Sequence, residues 1–234
     1  MRKNFFITAT DTGAGKTFVG AAIASLLRGK GIKVGVMKPV ETGCGKKNGR
    51  LLPKDALKLK KAAGSDEALS LINPYRFSPP LAPSIAGSMA GIRIDLKKIK
   101  KSFEVISEKN DVTIVEGIGG LLTPLTEDTT VLDLILLISI PVLIVAPSKL
   151  GCINSTLLTY RYARESGVKV QGVILNHPTD LKDESSEFNS SELKRLKIPL
   201  KAELPFFKEG EPDSGLKKII EPVLFKPRHG LLCS

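Results

Sequence analysis

At 234 residues the chain is long enough for a single α/β domain that buries about 70% of its unfolded surface, without disulfide staples. Cys44, Cys152 and Cys233 are odd in number and far apart, and neither His177 nor His229 joins them at a metal-ligand spacing; this excludes a disulfide framework and a zinc site and points to a reducing, cytoplasmic setting. The net charge of +11 is spread along the chain and Trp is absent, which argues against a base-stacking nucleic-acid binder, and no apolar run approaches a membrane span.

The N-terminus leads directly into an apolar strand, Phe5-Phe6-Ile7, rather than into a cleavable leader. Next comes the stretch 8–17, Thr-Ala-Thr-Asp-Thr-Gly-Ala-Gly-Lys-Thr, and then Val19, Ala22, Ile23, Leu26 and Leu27 at helical spacing. Strand, glycine turn and helix in that order make a phosphate-binding loop. Successive N–H groups and a helix N-terminus face the phosphates, Lys16 reaches the β and γ phosphates, and Thr17 offers a hydroxyl to Mg²⁺. Thr10 stands at the first glycine position of the usual pattern.

Gly29 and Gly31 close this unit, and 33–37 reads as a second strand whose carboxyl end delivers Lys38 and Thr42. A lysine and a hydroxyl there suit an anionic reactant, or Lys38 is a solvated loop lysine. Residues 51–63 read as a helix with Pro53 in its first turn; Asp55 either complements the helix dipole or ligates Mg²⁺. The proline-rich stretch 73–83 predicts a stiff ordered loop across one face of the sheet. In 96–106, Leu96, Ile99, Phe103 and Ile106 mark the core face of a helix whose lysines are solvated.

The strand 111–115 ends in Glu116 and the glycines Gly117, Gly119 and Gly120. An acid at the tip of a buried strand downstream of a phosphate loop predicts a metal or substrate role. A further strand, 141–146, precedes a helix expected to be capped by Asn154 or Ser155 and to turn Leu157, Leu158 and Tyr162 inward; Cys152 reads as packing. Gly167 ends that helix, 168–175 is a strand with Asn176 at its tip, 190–196 a helix and 200–204 a short strand before Pro205. A last helix, 215–220, precedes a basic tail. Residues 1–222 are thus expected to form one doubly wound, mostly parallel α/β domain flanked by helices, of phosphate-loop NTPase type, with 223–234 a frayed tail.

Six segments taken together carry a resemblance: the 8–17 loop, Lys38-Pro-Val-Glu-Thr-Gly43, Asn73-Pro-Tyr75, Val115-Glu-Gly-Ile-Gly-Gly120, Lys149-Leu-Gly-Cys-Ile-Asn154 and the Asn176 strand end. They resemble the dethiobiotin synthetase family, through most of the chain to about residue 207. The resemblance implies ureido-ring closure on 7,8-diaminononanoate with CO₂, ATP as co-substrate and Mg²⁺ as cofactor, by way of a carbamate and a carbamic-phosphoric anhydride. It implies that Thr12, Gly13, Ala14, Gly15, Lys16 and Thr17 cradle the phosphates, and that Thr17, Asp55 and Glu116 hold Mg²⁺. Lys38, Lys16 and Thr42 would do the catalytic work, with Lys38, Thr42, Glu116 and Gly119 around the reactant. Gly151, Cys152, Ile153 and Asn154 would meet the substrate carboxylate from a partner subunit, giving a homodimer with the site at its interface, and Asn176 and Pro205 would contact adenine.

This sequence has Ala9 and Ala14 where the family usually carries glycine and a larger residue. Glutamine-dependent amidating ligases of the cobyrinate type share the ATPase fold but need a second domain for which this chain has no length. A nucleotide switch of the ParA or MinD kind is the non-enzymatic alternative; such switches typically place a lysine where this chain has Asp11.

Overall fold

Phe5, Phe6 and Ile7 belong to β1 (Phe5–Ala9), which is buried along its whole length, as a strand with no solvated face must be. The computed structural model describes residues 4–180, 183–207 and 214–224. In it β1 leads into α1 (Lys16–Gly29), β2 (Val34–Met37), β3 (Val40–Glu41), β4 (Gly45–Lys47), β5 (Arg50–Leu52), α2 (Lys54–Ala63), α3 (Leu69–Ile72), β6 (Tyr75–Arg76) and α4 (Pro83–Met89). Then come α5 (Leu96–Glu108), β7 (Val112–Glu116), α6 (Val131–Ile138), β8 (Val142–Pro147), α7 (Cys152–Glu165), β9 (Val170–Asn176), α8 (Glu184–Arg195), β10 (Leu200–Leu204) and α9 (Ser214–Leu224).

Six strands pair in parallel in the order β10-β9-β8-β1-β7-β2. Alternation along the strands sends Phe5, Ile7, Val36, Ile114 and Val145 into one core under α1, α2 and α9. Phe6, Met37, Val115, Ile144 and Leu175 enter the other core, with α5, α6, α7 and α8. This is the doubly wound, parallel architecture that the sequence predicts. Central β1 has β7 on one side and β8 on the other, so the chain changes direction across the sheet beside the loop that follows β1. In such sheets the crevice at the carboxyl ends is the binding site.

Several local expectations need correction. Leu51 and Leu52 are not helical; they pair with Lys46 and Gly45 across a hairpin that turns at Asn48 and Gly49, both at positive φ, and α2 starts only after Pro53. The 73–83 stretch is ordered, but it is not all loop. Tyr75 and Arg76 pair with Val40 and Glu41, and Pro83 opens α4. The run 131–138 carries no helical period because it is apolar nearly all round, yet it forms α6 behind a capping box of Thr130 and Asp133. Helix α8 begins six residues before the expected 190, with Asp183 accepting from Ser186 N–H, and α9 continues past Pro222 to Leu224. The rest of the expected basic tail lies outside the described residues.

Helix α7 departs most. Its N-cap is Gly151, at φ 87°, and neither Asn154 nor Ser155; the Ser155 hydroxyl instead donates back to the Gly151 and Cys152 carbonyls. Its inward stripe consists of small residues, Cys152, Thr156 and Ala163, which let the helix lie close to the sheet. The large ones face out, with Leu158 63% and Tyr162 47% exposed and Leu157 only partly buried.

Candidate active site

The loop after β1 closes with Gly15 at φ 93°, the left-handed conformation that favours glycine, and a Cβ there would come within 2.3 Å of Asn176 Nδ2. Asn176, at the carboxyl end of β9, is buried and donates from Nδ2 to the Ala14 carbonyl at 2.9 Å. It therefore braces the loop from below. Lys16 opens α1 and points its ammonium across to the Gly119 carbonyl at 2.7 Å. Gly119 itself is at φ 58°, and Gly120 N–H bonds the Thr123 hydroxyl at 2.9 Å, so the glycines after β7 form a tight turn that aims carbonyls at the two lysines.

Adjacent β2 and β7 bring Lys38 and Glu116 together. Lys38 Nζ lies 2.5 Å from Glu116 Oε1, 3.0 Å from the Gly117 carbonyl and 3.2 Å from Asp55 Oδ2. Thr17 Oγ1 donates to the same Glu116 oxygen at 2.7 Å. Lys38 is thus a buried cation between two carboxylates, and the solvated-lysine alternative fails. The segment carrying it is pinned by Ile72 and Asn73: Lys38 N–H donates to Ile72 O at 2.9 Å and Asn73 Nδ2 to Lys38 O at 2.6 Å.

These groups surround one cavity of about 330 Å³, lined by Thr12, Gly13, Gly15, Lys16, Thr17, Lys38, Glu41, Thr42, Asp55, Glu116 and Gly119 among others. Ala14 is buried behind the loop rather than in the wall. Burial pulls the Lys16 pKa down to about 8, the neighbouring Lys38 charge adds to the fall, and the carboxylates oppose it. For Lys38 burial acts in the same direction, but Glu116 and Asp55 outweigh it and the net shift is upward. Lys38 thus holds its proton more firmly, and Lys16 less firmly, than an ordinary lysine.

Among the described residues no three His, Cys, Asp or Glu side chains form a metal-binding cluster. The donors that do meet are a hydroxyl and two carboxylates, Thr17, Asp55 and Glu116, linked through Lys38. Glu116 Oε2 is buried without a hydrogen-bond partner. Hard oxygen donors with an unsatisfied carboxylate oxygen fit Mg²⁺, which keeps several waters and takes few protein ligands.

The other candidates fall elsewhere. Pro205 lies with His177, Glu203 and Phe206 on a second cavity of about 410 Å³ beyond the β9 and β10 ends. Gly151, Cys152, Ile153 and Asn154 start α7 and do not line the loop cavity; the Cys152 thiol is buried near Thr156 Oγ1 at 3.8 Å, and burial raises its pKa. Two residues that entered the sequence reading only as members of motifs carry roles of their own. Glu41 lies in the cavity wall, and Asn73 holds Lys38. A helix that starts after Pro53 with no acceptor of its own was the available signal for Glu41.

A family described as AAA domain matches residues 3–212. The ATP-dependent dethiobiotin synthetase BioD of Thermodesulfovibrio yellowstonii is 39% identical over 222 residues, 91% of this chain and 92% of that protein. The enzyme of the same name from Methanocaldococcus jannaschii is 43% identical over 76% of this chain and 81% of its own, and that of Bacillus cereus strain G9842 is 40% identical over 88% and 84%. Among solved structures, a ParA family ATPase from Chlorobium tepidum shares the fold at TM-score 0.55 and 15% identity, covering 94% of this chain and 92% of that one. MinD of Aquifex aeolicus does so at 0.53 and 16%, covering 93% and 88%. Phosphate loop, strand-tip glutamate and buried lysine occupy one crevice, and the relatives match across nearly the whole chain: the chain belongs to the dethiobiotin synthetase family of ATP-dependent ligases.

Proposed function

We propose that the chain closes the ureido ring of dethiobiotin from 7,8-diaminononanoate, CO₂ and ATP, with Mg²⁺. The observation that carries this reading is the buried Lys38 between Asp55 and Glu116, in the same cavity as Lys16 and Thr17. A switch ATPase needs the loop and the strand-tip acid; a second buried cation beside them serves an anionic reactant. One substrate amine adds to CO₂ and loses a proton to give a carbamate. Lys38 and the Thr42 hydroxyl hold its oxygens, facing the nucleotide γ-phosphate that Lys16 and the loop N–H groups fix. A carbamate oxygen attacks that phosphorus, ADP leaves, and a carbamic-phosphoric anhydride results. The second amine then attacks the anhydride carbon, phosphate leaves, and the ring closes with loss of a proton. Thr17, Asp55 and Glu116 would hold Mg²⁺, which supplies charge neutralisation to the transferring phosphoryl group. Lys16 and Lys38 stabilise negative charge on the transferring phosphoryl oxygens and on the bridging oxygen that leaves with ADP, so no protein nucleophile is required.

The active form is a homodimer in this reading. Exposed Leu122, Leu158 and Tyr162 line one outward apolar surface with the loop residue Thr10, and Leu150, just before α7, is 81% exposed. A second copy seated there would present 151–154 to the substrate carboxylate. Asn176 and Pro205 frame the adenine end. The test is phosphate release from ATP with Mg²⁺ and bicarbonate, with and without the diamine, and mass analysis of the product. One ureido product per phosphate is expected; diamine-independent hydrolysis would contradict the reading.

A further inference from the structure

The mechanism leaves one buried carboxylate without a task. Glu41 lies on β3, three residues after Lys38 and next to Thr42, with its side chain buried in the wall of the loop cavity. Helix α2 begins after Pro53, which has no side-chain acceptor, so its first N–H groups need a partner from another segment. Glu41 supplies both halves of that partner: Oε1 accepts from Asp55 N–H and Oε2 from Ala56 N–H, each at 3.0 Å. The bond spans 14 positions, with the whole β4–β5 hairpin between. Helix capping alone does not call for this arrangement, because Ser, Thr or Asp at position 53 would cap in water without burying a charge.

The consequence is geometric. The backbone of Asp55 is tied to the strand end that carries Lys38 and Thr42, and its side chain returns to Lys38 Nζ at 3.2 Å. A closed ring of contacts therefore runs from Lys38 along β3 to Glu41, through the first turn of α2 to Asp55, and back to Lys38. Asp55 is the most exposed member of the ion cluster, with its side chain 43% exposed, and is the one whose place most depends on a brace.

We propose that Glu41 is a positioning residue that holds Asp55, through the first turn of α2, where it can serve the divalent cation together with Thr17 and Glu116. The proposal rests on the reading of Asp55 as a magnesium ligand. Outer partners of metal ligands typically affect metal affinity about 10–100-fold.

The test is a double-mutant cycle of Glu41→Ala and Asp55→Asn, with Glu41→Gln, which keeps one acceptor, as the milder variant should Glu41→Ala not fold. Two quantities are read: the Mg²⁺ concentration giving half-maximal turnover, and the gain in ADP affinity on adding Mg²⁺, by calorimetry without turnover. Glu41→Ala is expected to raise the Mg²⁺ requirement about tenfold and shrink the calorimetric gain, with ADP affinity in EDTA unchanged. In the Asp55→Asn background the Glu41 substitution should have no further effect on either quantity. An equal Glu41 effect in both backgrounds, or a lowered Tm with no change in Mg²⁺ dependence, would overturn the proposal. If Asp55→Asn alone leaves both quantities unmoved, the metal-ligand reading has failed first, and the positioning role falls with it.

Discussion

Lys38 Nζ and Glu116 Oε1 lie 2.5 Å apart although 78 positions separate them, and both side chains are buried. Parallel pairing of β2 with β7, Met37 beside Val115, sets that distance, so the sheet itself assembles the pair. Lys38→Ala therefore does two things. It removes a cation from the reacting anion, lowering turnover by about 10²–10³-fold. It also strands a buried carboxylate, costing about 3–5 kcal/mol of stability. The double variant Lys38→Ala, Glu116→Gln should recover much of the stability in urea denaturation but none of the diamine-dependent phosphate release.

Glu116→Gln keeps an acceptor for Thr17 and Lys38 but loses the charge on the buried, unpartnered Oε2. The Mg²⁺ concentration for half-maximal rate should rise about 10–100-fold. An unchanged rate across a Mg²⁺ titration would remove Glu116 from the cation set.

Lys16 has its pKa lowered to about 8 from 10.5, first by burial and then by Lys38. Phosphates favour its charged form, so ATP affinity should fall as pH rises above about 8, with proton uptake on binding. Calorimetry in buffers of different ionisation enthalpy reads the uptake, which Lys16→Met should abolish. The stability sign is opposite: between pH 8 and 10.5 the unfolded chain holds a proton that the folded chain has released, so this group makes the ligand-free protein more stable as pH rises through that window.

Gly15→Ala places a methyl group 2.3 Å from Asn176 Nδ2 at a positive φ. Either the loop or the Asn176 side chain must shift, and the Asn176 bond to Ala14 is lost. Stability should fall by only about 1–3 kcal/mol, while ADP affinity by calorimetry falls further than that strain alone would cause.

Leu158→Glu adds charge to an exposed side chain that packs into no core of its own subunit. The proposed homodimer predicts that this variant keeps Tm nearly unchanged, sediments as a monomer where the parent sediments as a dimer, and loses diamine-dependent turnover while ADP still binds. A fully active monomer would contradict the proposed homodimer.

Much of this was legible in the chain because it is local. The strand-loop-helix context of Lys16 and Thr17, the acid at the tip of the strand before Gly117, and the helix face of Leu96, Ile99, Phe103 and Ile106 all follow from period and punctuation. Helix α6 escaped because it is apolar nearly all round, down to the exposed Leu136, and that erases the period. The inward face of α7 was misread because large apolar residues ordinarily mark a core, whereas here Cys152, Thr156 and Ala163 do, and Leu158 and Tyr162 are left outside.

The sequence by itself determined the phosphate loop, the alternation that winds helices onto both faces of a parallel sheet, and the residue types gathered at the strand ends. Those depend on neighbours a few positions apart. Tertiary structure decided that Lys38 is buried between Asp55 and Glu116, that Asn176 braces the loop, and that Glu41 caps a helix beginning thirteen positions later. Each of these depends on strand order and crossover packing, which bring distant residues within hydrogen-bond reach; no periodicity along the chain encodes such a distance.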